Sequence, residues 1–281
     1  MPGISKTAIG IPFRRGGVIP FSYEPELLTY IDGLETELSD GQLTLLNNFI
    51  LTLKAGLSIT NLSDAFDVMY ILAGETAESS LRNLIRRAHD ATNVNATPHV
   101  AYEGFTGDAI SMYLDSNYSP ATDSMRYSLN SASFGLYSRT SRAYSSTKCS
   151  GCYSANRLRI YPKNTSTKAR GIINNIIAVN IAVSDTLGMT SVIRLGATSA
   201  YSARNKTLSA EETTASAAIP EAGRVFLLAT AGATSVPQAG SFDDIQISFA
   251  YIGKGLAQAE LNVLVDAFEA LMDANGKGVI I

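Results

Sequence analysis

Tryptophan is absent from this chain of 281 residues, which holds two histidines and two cysteines. Zinc needs four ligands, and beside Cys149 and Cys152 the sequence offers His89 and His99 alone, so no zinc site is expected. A redox Cys-x-x-Cys belongs at a helix N-terminus after a strand, whereas Cys149-Ser-Gly-Cys152 sits in a run rich in Ser, Gly and Tyr. Two free thiols in a loop are expected there, with a loop disulfide as the alternative. Charge is scarce as well: 17% of residues are charged and the formal net charge is −3. With the basic residues read as scattered, no nucleic-acid footprint emerges. The longest apolar run, Ile172 to Val183, is broken by Asn174, Asn175 and Asn180 and falls short of a membrane span. The N-terminus has no apolar core of a secretory signal, so folding in a cytoplasm is expected.

Catalytic patterns are missing too. Two histidines leave little room for a Ser-His-Asp triad, and no Gly-x-Ser-x-Gly elbow occurs. Gly253-Lys254-Gly255 and Gly276-Lys277-Gly278 lack the spacing of a phosphate loop. A glycosidase needs two carboxylates facing each other across a sugar. Glu211-Glu212 and Asp243-Asp244 are adjacent pairs, which a strand would turn to opposite faces, and they read as solvated loop carboxylates. Asp108, Asp115 and Asp123 are the candidates for a calcium site. The expectation is a protein that is not an enzyme and needs no cofactor.

The 46% of hydrophobic residues is enough for a real core. Residues 1–22 carry Gly3, Gly10, Gly16 and Gly17 and show no helical period, yet they include Ile4, Ile9, Ile11, Phe13, Val18, Ile19 and Phe21. An extended docking segment fits that pattern better than a free tail, with Ile11, Phe13, Arg14, Arg15, Gly16 and Gly17 as its contact residues. A mostly helical segment, 23–98, is expected to pack on the body formed by residues 99–281. Its first stripe is Leu27, Ile31, Leu34 and Leu38. Ser39 to Gln42 reads as a capping box opening a second stripe of Leu46, Phe49, Ile50, Leu53 and Leu57. Ala65 to Ala73 suits a buried strand or a short helix. Thr76 to Arg86 reads as a helix with Arg82, Arg86 and Arg87 outside. The polar run from Asp90 to Pro98 is the expected domain boundary.

From His99 onward, period-two alternation between turn residues predicts an antiparallel sheet with one wet face. Ser131 to Ser138 is the clearest case. Further strands are expected near Arg157–Tyr161, Gly171–Val183, Ser191–Leu195, Ala200–Asn205, Arg224–Ala229 and Ile245–Gly253, then an amphipathic helix over Leu256–Ala274. The fold class is therefore mainly β with helices: an antiparallel β-sandwich over 99–281, preceded by a helical segment and closed by a C-terminal helix.

Two sets of short motifs resemble known families. Gly104-Phe-Thr-Gly-Asp108, Tyr113-Leu-Asp115 and Asn130-Ser-Ala-Ser-Phe-Gly-Leu-Tyr137 resemble the concanavalin A/laminin G-like sandwich (a jelly roll) of tailed-bacteriophage structural proteins. Strand, Ile252-Gly-x-Gly-Leu256 and a final helix is also how those domains tend to finish. Lys6-Thr-Ala-Ile-Gly-Ile-Pro-Phe-Arg-Arg-Gly-Gly17 is similar to a leader on virion proteins of phages infecting Bacteroidetes, crAss-like phages among them. The resemblance implies a virion structural protein held to a capsid or tail component through residues 1–22, displaying its sandwich as a head fibre, decoration or tail appendage. It also implies a homo-oligomer, a trimer by family analogy, because an appendage must match its mount. The alternative is a carbohydrate-binding module gripping a host-surface polysaccharide. Tyr118, Tyr127, Tyr144, Tyr153 and Tyr201 are then the candidate stacking residues.

Overall fold

The computed structural model describes residues 23–280, Ala222 apart, so Ile11, Phe13, Arg14, Arg15, Gly16 and Gly17 lie outside the described residues. Along the chain come α1 (Pro25–Ile31), α2 (Asp40–Leu57), β1 (Phe66–Tyr70), α3 (Ala77–Leu81), β2 (Thr92–Val94), β3 (His99–Val100), β4 (Gly104–Thr106) and β5 (Tyr113–Asp115). Next are β6 (Ala132–Ser138), β7 (Ser150–Tyr153), β8 (Arg157–Thr165), β9 (Lys168–Asn175), β10 (Val179–Ala182), β11 (Gly188–Gly196) and β12 (Ser199–Arg204). The chain continues with β13 (Thr207–Leu208), β14 (Phe226–Leu227), β15 (Thr230–Ala231), β16 (Gln246–Gly253) and α4 (Gln258–Ala274).

Two sheets face each other as a sandwich. Sheet A runs β13-β12-β11-β6-β16-β4-β3, with β1 also paired to β16. Sheet B runs β10-β9-β8-β7-β14-β5-β2, antiparallel apart from the short β15, which lies parallel to β7. Phe134, Leu136, Leu158, Ile160, Ile173, Val192 and Ile247 fill the space between them.

The alternation along β6 is real, but its second face is not wet. Ala132, Phe134 and Leu136 point into the sandwich, while Tyr137, from the other side, enters a second core with Phe49, Ile50, Leu53, Leu264 and Phe268. That second core lies under α2 and α4, so all seven residues of β6 are buried. The small residues on this side leave room for aromatic neighbours: a Cβ on Gly135 would stand 2.2 Å from the Tyr251 ring. The result is three layers, helices on sheet A on sheet B. No residue of α1, α2 or α4 belongs to the cores on the sheet-B side.

The boundary expected at 90–98 is not one. β1 completes sheet A beside β16 and β2 pairs with β5 in sheet B, so residues 23–98 are woven into both sheets. AFDVMYILA resolves to a strand because both its faces are covered, and the whole of β1 is buried. α1 stops at Ile31, ahead of Gly33 at φ +67°, before Leu34 and Leu38 can extend its stripe. α3 is a single turn, and Arg82 is buried instead of outside, donating to the carbonyls of Tyr30, Asp32 and Gly33. The Gly171–Val183 run is two strands, β9 and β10, that pair with each other across a turn at 176–178.

Candidate functional site

Among the described residues no helix covers the outer face of sheet B, where Tyr153, Arg157 and Arg170 are half-exposed. Side chains alternate along a strand, so β8 sends Leu158 and Ile160 inward and Arg157, Arg159 and Tyr161 outward. Register then sets Tyr153 of β7 opposite Arg157 and Arg170 of β9 opposite Tyr161. Aromatic rings and guanidinium groups therefore interleave across three neighbouring strands. The carbon centres of the Arg157 and Arg159 guanidiniums lie 4.8 and 4.5 Å from the centroid of the Tyr153 ring, and that of Arg170 lies 5.9 Å from the Tyr161 ring.

Beside this patch opens a cleft of about 130 Å3 lined by Ser146, Thr147, Arg159, Tyr161, Gln238 and Ser241. Arg159 is 5% exposed. One of its terminal nitrogens donates to the Tyr161 hydroxyl at 3.1 Å and the other to the Gln238 side-chain oxygen. Its Nε and that of Arg157 have no acceptor among the described residues. Burial pushes the Tyr161 hydroxyl above its ordinary pKa, so it stays protonated. The cleft thus presents guanidinium, phenol, hydroxyl and amide groups.

The tyrosines expected to bind sugar part company. Tyr118 and Tyr127 are core residues, a correction: Tyr118 donates to the Asp67 carboxylate and Tyr127 to Asn174. Their hydroxyls have partners inside the fold, which makes a buried tyrosine affordable. Tyr144 is 59% exposed in the loop before β7. Tyr153 is half-buried and already covered by arginine. Tyr201 is half-buried on β12, opposite Ile193 of the helix-side core, and so belongs to the other sheet. The structure does not gather them into one site.

The carboxylates do not gather either. Asp108 closes its own turn, Oδ1 accepting from the backbone N–H groups of Ile110, Ser111 and Met112. Burial would raise its pKa, but those N–H groups outweigh it and hold the carboxyl well below the usual range. Asp115 pairs with Arg224 at 2.8 Å, and Asp123 accepts from the Ser119 N–H. Asp243 is no solvated loop residue: it is fully buried and accepts from Arg142 at 3.1 Å, while Asp244 pairs with Lys148. Among the described residues no three metal-ligating side chains converge.

Both cysteines are free; Cys152 lies in β7 and Cys149 ends the loop before it. Cys152 faces the sandwich core, whereas Cys149 packs with Tyr161 and Ile172 on the outer side. Burial pushes the Cys152 thiol up to about 12 and raises that of Cys149. A small thiol reagent at pH 8 should therefore leave the folded chain untouched and titrate both cysteines in denaturant. Rapid labelling of either thiol under native conditions would contradict this packing.

The sequence did hold a signal for the outer face. Between Asp123 and Asp185 there is no acidic residue, and nine of the 22 Lys and Arg fall there, so the basic residues are not scattered. The stretch covers β6 to β10, and its unpaired arginines cluster on β8 and β9.

No known family matches the sequence, and no curated protein matches it. Solved structures share the fold. A Trypanosoma rangeli sialidase in complex with 2,3-difluorosialic acid aligns with TM-score 0.50 and 11% identity over 82% of this chain and 40% of that one. The binding domain of botulinum neurotoxin serotype D aligns with TM-score 0.46 and 8% identity, over 73% of this chain and 52% of the toxin domain. The chain thus spans about 40% of the sialidase's length, and the likeness establishes the sandwich fold. The reading of this chain as no enzyme is corrected by it. Sialidases are among the proteins built with this fold, so missing sequence motifs do not exclude catalysis.

Proposed function

We propose that this chain is a structural protein of a phage virion, mounted through residues 1–22 and displaying its sandwich as a head fibre, decoration or tail appendage. The observation that carries the reading is the polarity of the body. Tyr23 packs against the helix-side core, and the Glu24 N–H donates to Asn47 of α2 at 2.8 Å. Lys54 of the same helix bridges Glu24 at 2.5 Å and Glu26 at 2.7 Å. The leader therefore joins the body on the helical layer, and the open face of sheet B lies on the far side. A mount on one side and a displayed face on the other is what an appendage needs.

Deleting residues 2–17 should leave a folded, soluble body that no longer joins particles. Arg14→Glu with Arg15→Glu should weaken joining without unfolding. Incorporation of the truncated chain at normal copy number would sink the mounting. The assembled form is a closed homo-oligomer, a trimer, which light scattering reads as three times the chain mass. A second reading, a carbohydrate-binding module, is favoured by the arginine and tyrosine side chains on the displayed face.

A further inference from the structure

We propose that the outer face of sheet B, centred on the cleft at Arg159, binds the carboxylate groups of an acidic polysaccharide. The inference rests on the second reading, sheet B as the sugar-facing side, and is independent of where the leader docks.

Arg157, Arg159 and Arg170 form no ion pair among the described residues, whereas Arg142, Arg204 and Arg224 each pair with an aspartate. Two of those unpaired guanidiniums share one ring, that of Tyr153. Like charges held together without a counter-charge are unfavourable, and an arriving anion relieves that repulsion. Arg159 is the most telling of the three: 5% exposed, it lines the cleft, and its two terminal nitrogens each make one hydrogen bond, to Tyr161 and to Gln238, where each carries two N–H groups. A buried guanidinium with open donor capacity matches a carboxylate, which accepts two parallel N–H bonds. The hydroxyls of Ser146, Thr147 and Ser241 beside it suit the hydroxyls of a sugar.

Arginine covers Tyr153, so a neutral sugar has no bare ring there to stack on; charge, not stacking, selects the ligand. Outside the acid-free stretch, the remaining 13 Lys and Arg stand against all 25 Asp and Glu, a net −12 that opposes any polyanion. Duplex DNA carries one negative charge per about 1.7 Å of its axis and a polyuronate one per sugar ring, so that repulsion weighs less on the glycan. The basic patch spans three strands, the width of a few sugar rings. The leader carries Lys6, Arg14 and Arg15 and no acidic residue, so it is a poor complement for this face.

The test uses the full chain with polygalacturonate and alginate, polymers of uronic acids, and with fully methyl-esterified polygalacturonate as the uncharged match. The chain should bind an acidic polymer at low ionic strength, lose it as salt rises, and ignore the ester. Arg157→Gln with Arg170→Gln, both on the surface, should weaken binding by about tenfold or more. Arg159→Lys, which keeps the charge but loses the fork, should weaken it by a similar factor; if that variant fails to fold, the surface pair carries the test. Binding to neither acidic polymer, equal binding of the ester, equally tight binding of duplex DNA, or no effect of the surface pair would each overturn the inference. A change in mass of the surface pair with polymer binding unchanged would make this face a contact between copies and overturn it too. Lost polymer binding with normal incorporation into particles leaves the mounting intact, so the two readings fail separately.

Discussion

Phe268→Ala is expected to destabilise the chain by about 3–5 kcal/mol, the range for truncating a buried aromatic whose site cannot collapse. Phe268 is fully buried on α4 and stacks on Phe249 of β16 at 4.4 Å between ring centres. It also meets Tyr137 of β6 edge-on at 5.0 Å and Phe49 of α2 at 6.3 Å. One side chain thus joins both long helices to two adjacent central strands of sheet A. Its rigid neighbours have little freedom to close the gap. Urea unfolding monitored by circular dichroism checks it, with Leu28→Ala, at a site 46% exposed, as the control expected to stay within about 0.5 kcal/mol. A loss below about 1 kcal/mol for Phe268→Ala would mean that the helical layer is held elsewhere.

The second large effect comes from a charge. Asp67 of β1 is 1% exposed. Its carboxylate accepts from the backbone N–H groups of Met125, Arg126 and Tyr127 at 2.9, 2.8 and 2.9 Å, and from the Tyr118 hydroxyl at 2.9 Å. It is the pin that fixes the loop before β6 against β1. Asp67→Ala strands two buried donors, the Tyr127 N–H and the Tyr118 hydroxyl, and two partly buried ones. Hydrogen bonds to a charged group are worth roughly 1.5–3 kcal/mol each, and breaking such an arrangement is expected to cost about 3–5 kcal/mol. Asp67→Asn keeps the shape but turns an NH2 toward those donors, so it should lose less than alanine and still be clearly destabilised. Hydrogen exchange should show the amides of Met125 to Tyr127 exposed first. Protection of those amides unchanged in Asp67→Ala would refute the role given to the carboxylate.

These two side chains also mark where the sequence is readable and where it is not. The stripe that contains Phe268 repeats at helical spacing, and Ser39 begins α2 with its side chain accepting the Gln42 N–H, so both long helices could be placed from local pattern. β6 and β16 were equally visible through their alternation. What local pattern cannot say is which surface a second layer will cover. Ser133 and Tyr137 alternate with apolar residues as they would beside water, yet both are buried, Tyr137 against Phe268 of α4 and Ser133 donating to the Lys254 carbonyl. Tyr118 and Tyr127 misled for a related reason. A tyrosine is amphipathic, and whether its hydroxyl meets water or a partner such as Asp67, distant in sequence, depends on the tertiary fold. The arginines of β8 are hidden in the charge balance of the whole chain. The acids that cancel them lie before Ser124 or after Ser184.

The place of β16 has a consequence for timing. It is the hub of sheet A, paired with β6 on one side, β4 and β1 on the other, although it is made after all three of those partners. During synthesis, β1, β4 and β6 emerge early with apolar edges and no central partner, and their pairing must wait for residues 246–253. Contacts of such long sequence separation slow folding. A nascent chain is therefore exposed to wrong pairing while residues 139–245 are made, and that window closes in a single step.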